Sequence, residues 1–193
     1  MYLYSFLECE TLENVMKSVT LKIFPTAVHI VRTSGWDKYK SYLLTAIKDQ
    51  KDPAYRPRVD YYTDYGQKQS WRKTLWDEFL EPAMKPFIDG THTKLQDIWA
   101  QQYIDQVGFT AHRHQPMGYS CVLYAEFDPK VHWATTLFRP FIDPNDIRNS
   151  NEVFTPDVEE GDILIFPSWM MHQAAPSDTK IPRTIVAFNL EPR

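Results

Sequence analysis

The strongest constraint on the fold is a change of texture after Gly90. Five runs rich in apolar and β-branched residues follow it: 98–103, 120–127, 135–141, 163–166 and 184–190. Gly, Pro, Asp or Asn residues lie between them. Runs this short do not build a helix bundle, whose helices need about 10 residues or more. None approaches the ~18 apolar residues of a membrane span. Short strands punctuated by turns close into an antiparallel sandwich or barrel. The predicted class is α+β, mainly β.

The first half reads differently. Val19 to Arg32 is β-rich and broken by Pro25, so two short strands or one bent edge strand are expected. Ser34 precedes Trp36, Tyr39, Leu43, Ala46 and Ile47 at helical spacing. Residues 52–68, with Pro53, Pro57 and Gly66, read as a loop or a partly extended segment. Ser70 is placed to cap a second helix with Trp71, Leu75, Trp76, Phe79 and Leu80 on one face. Pro82 and Pro86 should kink or end that helix. A chain of 193 residues fits one domain, 1–193. Residues 1–95 would supply an N-terminal strand and helices, and 96–193 the β core, with the helices covering one face of the sheet.

Charge and cysteine content narrow the function classes. Two cysteines, Cys9 and Cys121, cannot form a disulfide scaffold, which fits a reducing, cytoplasmic setting. The N-terminus has no basic region ahead of an apolar one, so it does not read as a secretory signal. Net charge is −4, and it is uneven. Residues 1–100 hold 14 Lys+Arg against 13 Asp+Glu, while 101–193 hold 7 against 12. That acidic second half argues against nucleic acid as a partner. No membrane partner is expected, and oligomeric state is left open.

Three signals carry chemistry. His112 and His114 stand at i and i+2, which on a strand places both imidazoles on one face. Alone, the pair reads equally as two surface histidines. Gly161-Asp162 leads into an apolar run, a bend at Pro167 and then His172. In an antiparallel barrel that histidine can return beside the first pair, and imidazole suits iron, zinc, copper and nickel. Alone, His172 reads as a core histidine with a satisfied ring. Arg183 opens an apolar strand, where a guanidinium is costly unless an anion or water meets it.

In this order, the residues resemble a known family, the Fe(II)/2-oxoglutarate-dependent oxygenases, in particular small ones found in phages and bacteria. The resemblance covers most of the chain and is tightest over 98–190. It runs through Trp99, Gln101, Tyr103, Gly108, His112, His114, Pro116, Ser120, Val122, Tyr124, Gly161-Asp162, Phe166-Pro167-Ser168, His172, Arg183 and Phe188-Asn189, and near the start Phe24-Pro25-Thr26. The fold it implies is the double-stranded β-helix, or jelly roll, with N-terminal helices packed on the major sheet and the metal site within 96–193. The activity it implies is a dioxygenase or hydroxylase using Fe(II), 2-oxoglutarate and O2, releasing succinate and CO2. His112, His114 and His172 would hold the metal. Arg183 would grip the distal carboxylate of 2-oxoglutarate, and Tyr103 and Gln101 would hydrogen-bond it. Tyr124 and Trp169 would line the pocket.

Two positions depart from the family pattern. His114 stands where a carboxylate is usual, leaving the metal one unit more positive; Asp105, Glu126 and Asp128 are nearby carboxylates without the usual spacing. Gln101 stands where Asn is usual. A cupin-type metalloprotein without 2-oxoglutarate is an alternative, but Gly118 stands where a cupin has its glutamate. A non-enzymatic viral or structural module keeping the barrel is another. The substrate is left as a small molecule or a protein side chain, and the compartment as the cytoplasm, a host's if the source is viral.

Overall fold

The structure, a computed structural model, describes residues 18–23, 26–49, 61–140 and 153–193. Cys9, Phe24-Pro25, residues 52–60 of the expected loop and the end of the 135–141 run lie outside them.

Strands β1 (Ser18–Ile23) and β2 (Thr26–Val31) form an antiparallel pair. Helix α1 (Asp37–Asp49) follows, then β3 (Tyr61–Thr63). A continuous helical stretch comes next: α2 (Trp71–Leu75), a π-helical turn (Trp76–Leu80) and α3 (Glu81–Thr91). The remaining strands are β4 (Thr93–Tyr103), β5 (Phe109–His112), β6 (Tyr119–Glu126), β7 (Thr135–Phe138), β8 (Val153–Phe154), β9 (Ile163–Pro167), β10 (His172–Ala174) and β11 (Arg183–Pro192). The major sheet runs β1-β2-β9-β6-β11-β4-β3, and the minor sheet β5-β10-β7-β8. Two antiparallel sheets with helices on the larger one make the double-stranded β-helix architecture.

Why the long runs look continuously apolar follows from the two faces of the major sheet. On β6, Cys121, Leu123 and Ala125 join the helices, while Val122 and Tyr124 face the minor sheet. On β9 the same split sends Ile163 and Ile165 one way and Leu164 and Phe166 the other. Strands buried on both faces lose the apolar–polar alternation of a half-exposed sheet. On the helix side, Trp71, Leu75, Leu80 and Met84 are fully buried.

Two local expectations need correction. Ser70 does not cap the second helix: its backbone is already helical (φ −67°, ψ −31°) and its side chain makes no capping bond. A capping residue normally keeps an extended backbone so that its oxygen can turn back onto the first turn. Nor do Pro82 and Pro86 end the helix, which runs on to Thr91. The π turn widens the coil just before Pro82, with the Glu81 N–H reaching Trp76 O. Both prolines are solvent-exposed, where a carbonyl deprived of its amide partner can bond water. The helix stops instead at His92, which adopts a left-handed backbone (φ 51°, ψ 46°).

Gly161 sets the entry to β9. Its φ is +88°, and a Cβ there would lie 3.0 Å from the Trp36 Cβ, so glycine answers both demands. Asp162 then anchors the turn, accepting the Glu159 N–H at 2.6 Å and pairing with Arg32.

Candidate metal centre

Between the two sheets lies a cavity of about 730 Å3. Its walls come from alternate residues of the major sheet: Asp97, Trp99, Gln101 and Tyr103 on β4, Ile185, Ala187 and Asn189 on β11. The three histidines meet at one end. Strands β5 and β10 pair with His112 directly opposite His172. That pairing depends on Gly108, since a Cβ there would sit 2.4 Å from Ala174 O. His114 lies beyond the end of β5 rather than on it, a correction to the expected i, i+2 strand face. It is placed instead by its own amide, which donates to Ser168 O at 2.9 Å in the bend after β9.

The ring centroids of His112 and His172 are 4.3 Å apart, and each lies 5.1 Å from His114. One nitrogen from each ring falls within 4.8 Å of the others, a spacing that can hold a metal ion. The hydrogen bonds explain why these nitrogens are free. His112 Nδ1 lies 2.8 Å from Thr110 O, and His172 Nδ1 lies 2.9 Å from Met170 O. A carbonyl only accepts, so both Nδ1 atoms carry the hydrogen and each Nε2 keeps its lone pair. The third ring is fixed at one remove. Asn189 Nδ2 donates to Asp97 Oδ1 at 2.8 Å, which turns Asn189 Oδ1 toward His114 Nδ1, 2.7 Å away. Ser120 Oγ lies 2.9 Å from the same Nδ1. Partners of this kind orient metal-binding imidazoles. Burial pushes His172 down to about 3 and lowers His112, so both rings are neutral and ready to ligate at neutral pH.

Gln101 and Tyr103 line the same cavity and bond each other: the Tyr103 hydroxyl donates to Gln101 Oε1 at 2.9 Å, and Gln101 Nε2 donates to Tyr61 Oη at 3.0 Å. Arg183 sits opposite Tyr103 in the β4–β11 register and is 3% exposed. It does not line the large cavity but a small hollow beside it, to which Tyr103 also belongs. Its guanidinium lies 4.7 Å from the Tyr103 ring centroid, and Nη1 donates to Trp133 O. Nη2 is buried without a hydrogen-bond partner among the described residues. An orphaned cationic donor in a dry site fits an anion that arrives from outside the chain.

Tyr124 and Trp169 do not line the cavity, a correction to their expected role. Tyr124 shares the inner face of β6 with Val122, but its ring packs on Phe127 at 4.9 Å and its hydroxyl accepts the Thr135 N–H. Trp169 stands in the bend before His172 and packs against the same inner core. Sequence reasoning missed Asp97, Ser120 and Asn189 as site residues, and Tyr61 and Phe109 as wall. Asp97 was within reach, because strand alternation carries the face of Tyr103, Gln101 and Trp99 back to it. Burial raises the pKa of the Asp97 carboxyl above its ordinary value.

Residues 97–189 match the profile of a family described as "Putative 2OG-Fe(II) oxygenase". Among solved structures, the chain is similar to HygX from Streptomyces hygroscopicus with nickel, 2-oxoglutarate and hygromycin B bound. The identity is 16%, over 86% of this chain and 83% of that one, with a TM-score of 0.60. It is similar to a Pseudomonas putida prolyl-4-hydroxylase at 14% identity over 91% and 92% of the two chains, TM-score 0.53. A viral collagen prolyl hydroxylase from Paramecium Bursaria Chlorella virus-1 gives 8% identity over 86% and 96%, TM-score 0.58. No sequence among the curated proteins matches the chain.

Proposed function

We propose that the chain is a 2OG-Fe(II) oxygenase, the family whose profile residues 97–189 match, and that its own residues serve that chemistry as follows. His112, His114 and His172 hold Fe(II) through Nε2. The observation that carries this is their convergence, with every Nδ1 engaged elsewhere. Three neutral ligands leave the metal more positive than two histidines and a carboxylate would. The Asp97–Asn189–His114 chain returns part of a negative charge to that third ligand through hydrogen bonds.

Iron with 2-oxoglutarate and O2 supplies the oxidising step; the protein binds, orients and keeps the site dry. Arg183 meets the distal carboxylate of the cosubstrate with its unpartnered Nη2. Because Tyr103 covers the guanidinium, that carboxylate must displace or flank the ring, and the Tyr103 hydroxyl then exchanges Gln101 for the ligand. The substrate enters the aromatic end of the cavity as a small molecule or a protein side chain; one similar structure holds hygromycin B, and others are prolyl hydroxylases. The chain is read as one domain, working in the cytoplasm. No described helix is long and apolar enough to cross a membrane.

Calorimetry on the metal-loaded protein tests the assignment. Wild type should bind 2-oxoglutarate and form succinate on turnover. Arg183→Ala should lose about 2–5 kcal/mol of cosubstrate binding, as when one partner of a buried charge pair is removed. Arg183→Lys should recover only part, since it lacks the planar fork. Unchanged binding in Arg183→Ala would remove Arg183 from the site.

A further inference from the structure

Among the described residues lining the cavity, Asp97 is the only carboxylate. One of its oxygens accepts from Asn189, but Asp97 forms no ion pair among the described residues. The neighbouring Arg72 is already paired with Asp64 at 3.1 Å. No lysine or arginine is present in the described cavity wall. Asp97 is half-buried and pairs directly with no cation among the described residues; a metal at the imidazoles would act on it only through Asn189 and His114, so its charge stays open to a cationic ligand in the cavity.

Aromatic rings accompany it. Trp99 is the next residue on the same face of β4, and the Tyr65 ring stands nearly perpendicular to it (77°) at 5.0 Å. Tyr61 and Phe109 stack at 6.3 Å. Tyr65 is 63% exposed and Phe109 36%, which puts these two rings at the solvent side of the cavity. Ring faces attract cations, most of all when a carboxylate stands beside them. A neutral apolar substrate would leave Asp97 desolvated with nothing in return, and an anion would be repelled.

We infer that the cavity takes a cationic substrate, an alkylammonium or guanidinium group held by Asp97 against the Trp99 and Tyr65 rings. For its reaction this rests on the oxygenase reading; for its binding it does not. With the charge anchored at Asp97, carbons farther along the same substrate would lie toward His114, which sits on the other side of the Asn189 bridge.

Three probes of similar shape decide it: Nα-acetyl-lysine amide, Nα-acetyl-arginine amide and the neutral Nα-acetyl-norleucine amide. Each is titrated by calorimetry into protein loaded with redox-inert Mn(II) and 2-oxoglutarate, and again into metal-free protein. At least one cationic probe should bind on the order of tenfold tighter than norleucine amide. The lysine and arginine arms distinguish ammonium from guanidinium. Asp97→Asn, which retains an oxygen for Asn189, should bring the ratio to within about twofold, while Asp97→Glu should keep the preference. Equal binding of charged and neutral probes, no binding of any, or a preference that survives Asp97→Asn overturns the inference. If Mn(II) and 2-oxoglutarate bind but the probes are not distinguished, this inference fails alone. If neither cosubstrate nor metal binds, the oxygenase reading fails, and the metal-free titration still decides the cation preference.

Discussion

At the scale of single residues, what makes the centre usable is that burial keeps two of its imidazoles, His112 and His172, neutral. Burial, and next to it the neighbouring rings, push His172 down to about 3 from an ordinary 6.5. The sign for stability follows. Below pH 6.5 the unfolded chain binds a proton at this ring that the folded, metal-free protein refuses, so stability falls as pH falls. At pH 5 the unmet shift of about 1.5 units corresponds to about 2 kcal/mol. Thermal unfolding of metal-free wild type and His172→Gln between pH 7 and pH 5 should show a steeper loss in wild type; parallel curves would contradict it. His114 allows a complementary prediction. His114→Asp restores the carboxylate common in related sites and should still bind Fe(II), with altered turnover. If both metal affinity and turnover stay at wild-type values, His114 is outside the metal's coordination. The sequence made His112, His114 and His172 legible through their order with Gly161-Asp162, Pro167 and Arg183, not singly. It hid Asn189 and Ser120, whose roles depend on which atom of His114 needs a partner, a fact of geometry alone.

At the scale of elements, the helical stretch is tied to the sheet by one buried carboxylate. Asp64, 0% exposed, follows β3 directly. It accepts from Trp71 Nε1 at 3.0 Å, from the Ala100 N–H at 2.8 Å and from Arg72 at 3.1 Å. Burial raises its pKa while each of these donors pulls it back. Asp64→Ala strands a part-buried guanidinium and two donors, and should cost about 3 kcal/mol in urea unfolding. A cost below about 1 kcal/mol would mean that water replaces the carboxylate. None of this is visible in sequence, because Asp64 lies in a segment that reads as loop. Longer elements were legible: β4, β6, β9 and β11 coincide with apolar runs long enough to declare themselves. Strand β10 has three residues and β8 two, too few to show any period. Strand β5 is largely exposed, so it lacks the apolar signature altogether.

At the scale of the whole molecule, the division near residue 95 in the sequence is not a division in the sheet. Strands β1, β2 and β3 come from the first half and occupy both edges of the major sheet, beside β9 and β4. Strand β4 itself runs from Thr93 to Tyr103, across that boundary. The helices bury Trp71, Leu75 and Met84 against Ile98, Leu123 and Phe188, which belong to strands whose other face builds the cavity. We therefore expect one cooperative unit rather than a helical layer that melts away from a stable barrel. Leu75→Ala is the test, since Leu75 is fully buried in the helix-side core, far along the chain from any cavity residue of β11. Removing its side chain should cost about 2–5 kcal/mol. Tryptophans report from both regions: Trp36, Trp71 and Trp76 in the helix-side core, Trp99 and Trp169 toward the inner one. In urea, fluorescence and far-ultraviolet circular dichroism should therefore move together, in wild type and in Leu75→Ala, with the whole curve displaced to lower denaturant. An early transition confined to the helical signal, with Trp99 and metal binding retained beyond it, would show that the two halves fold separately.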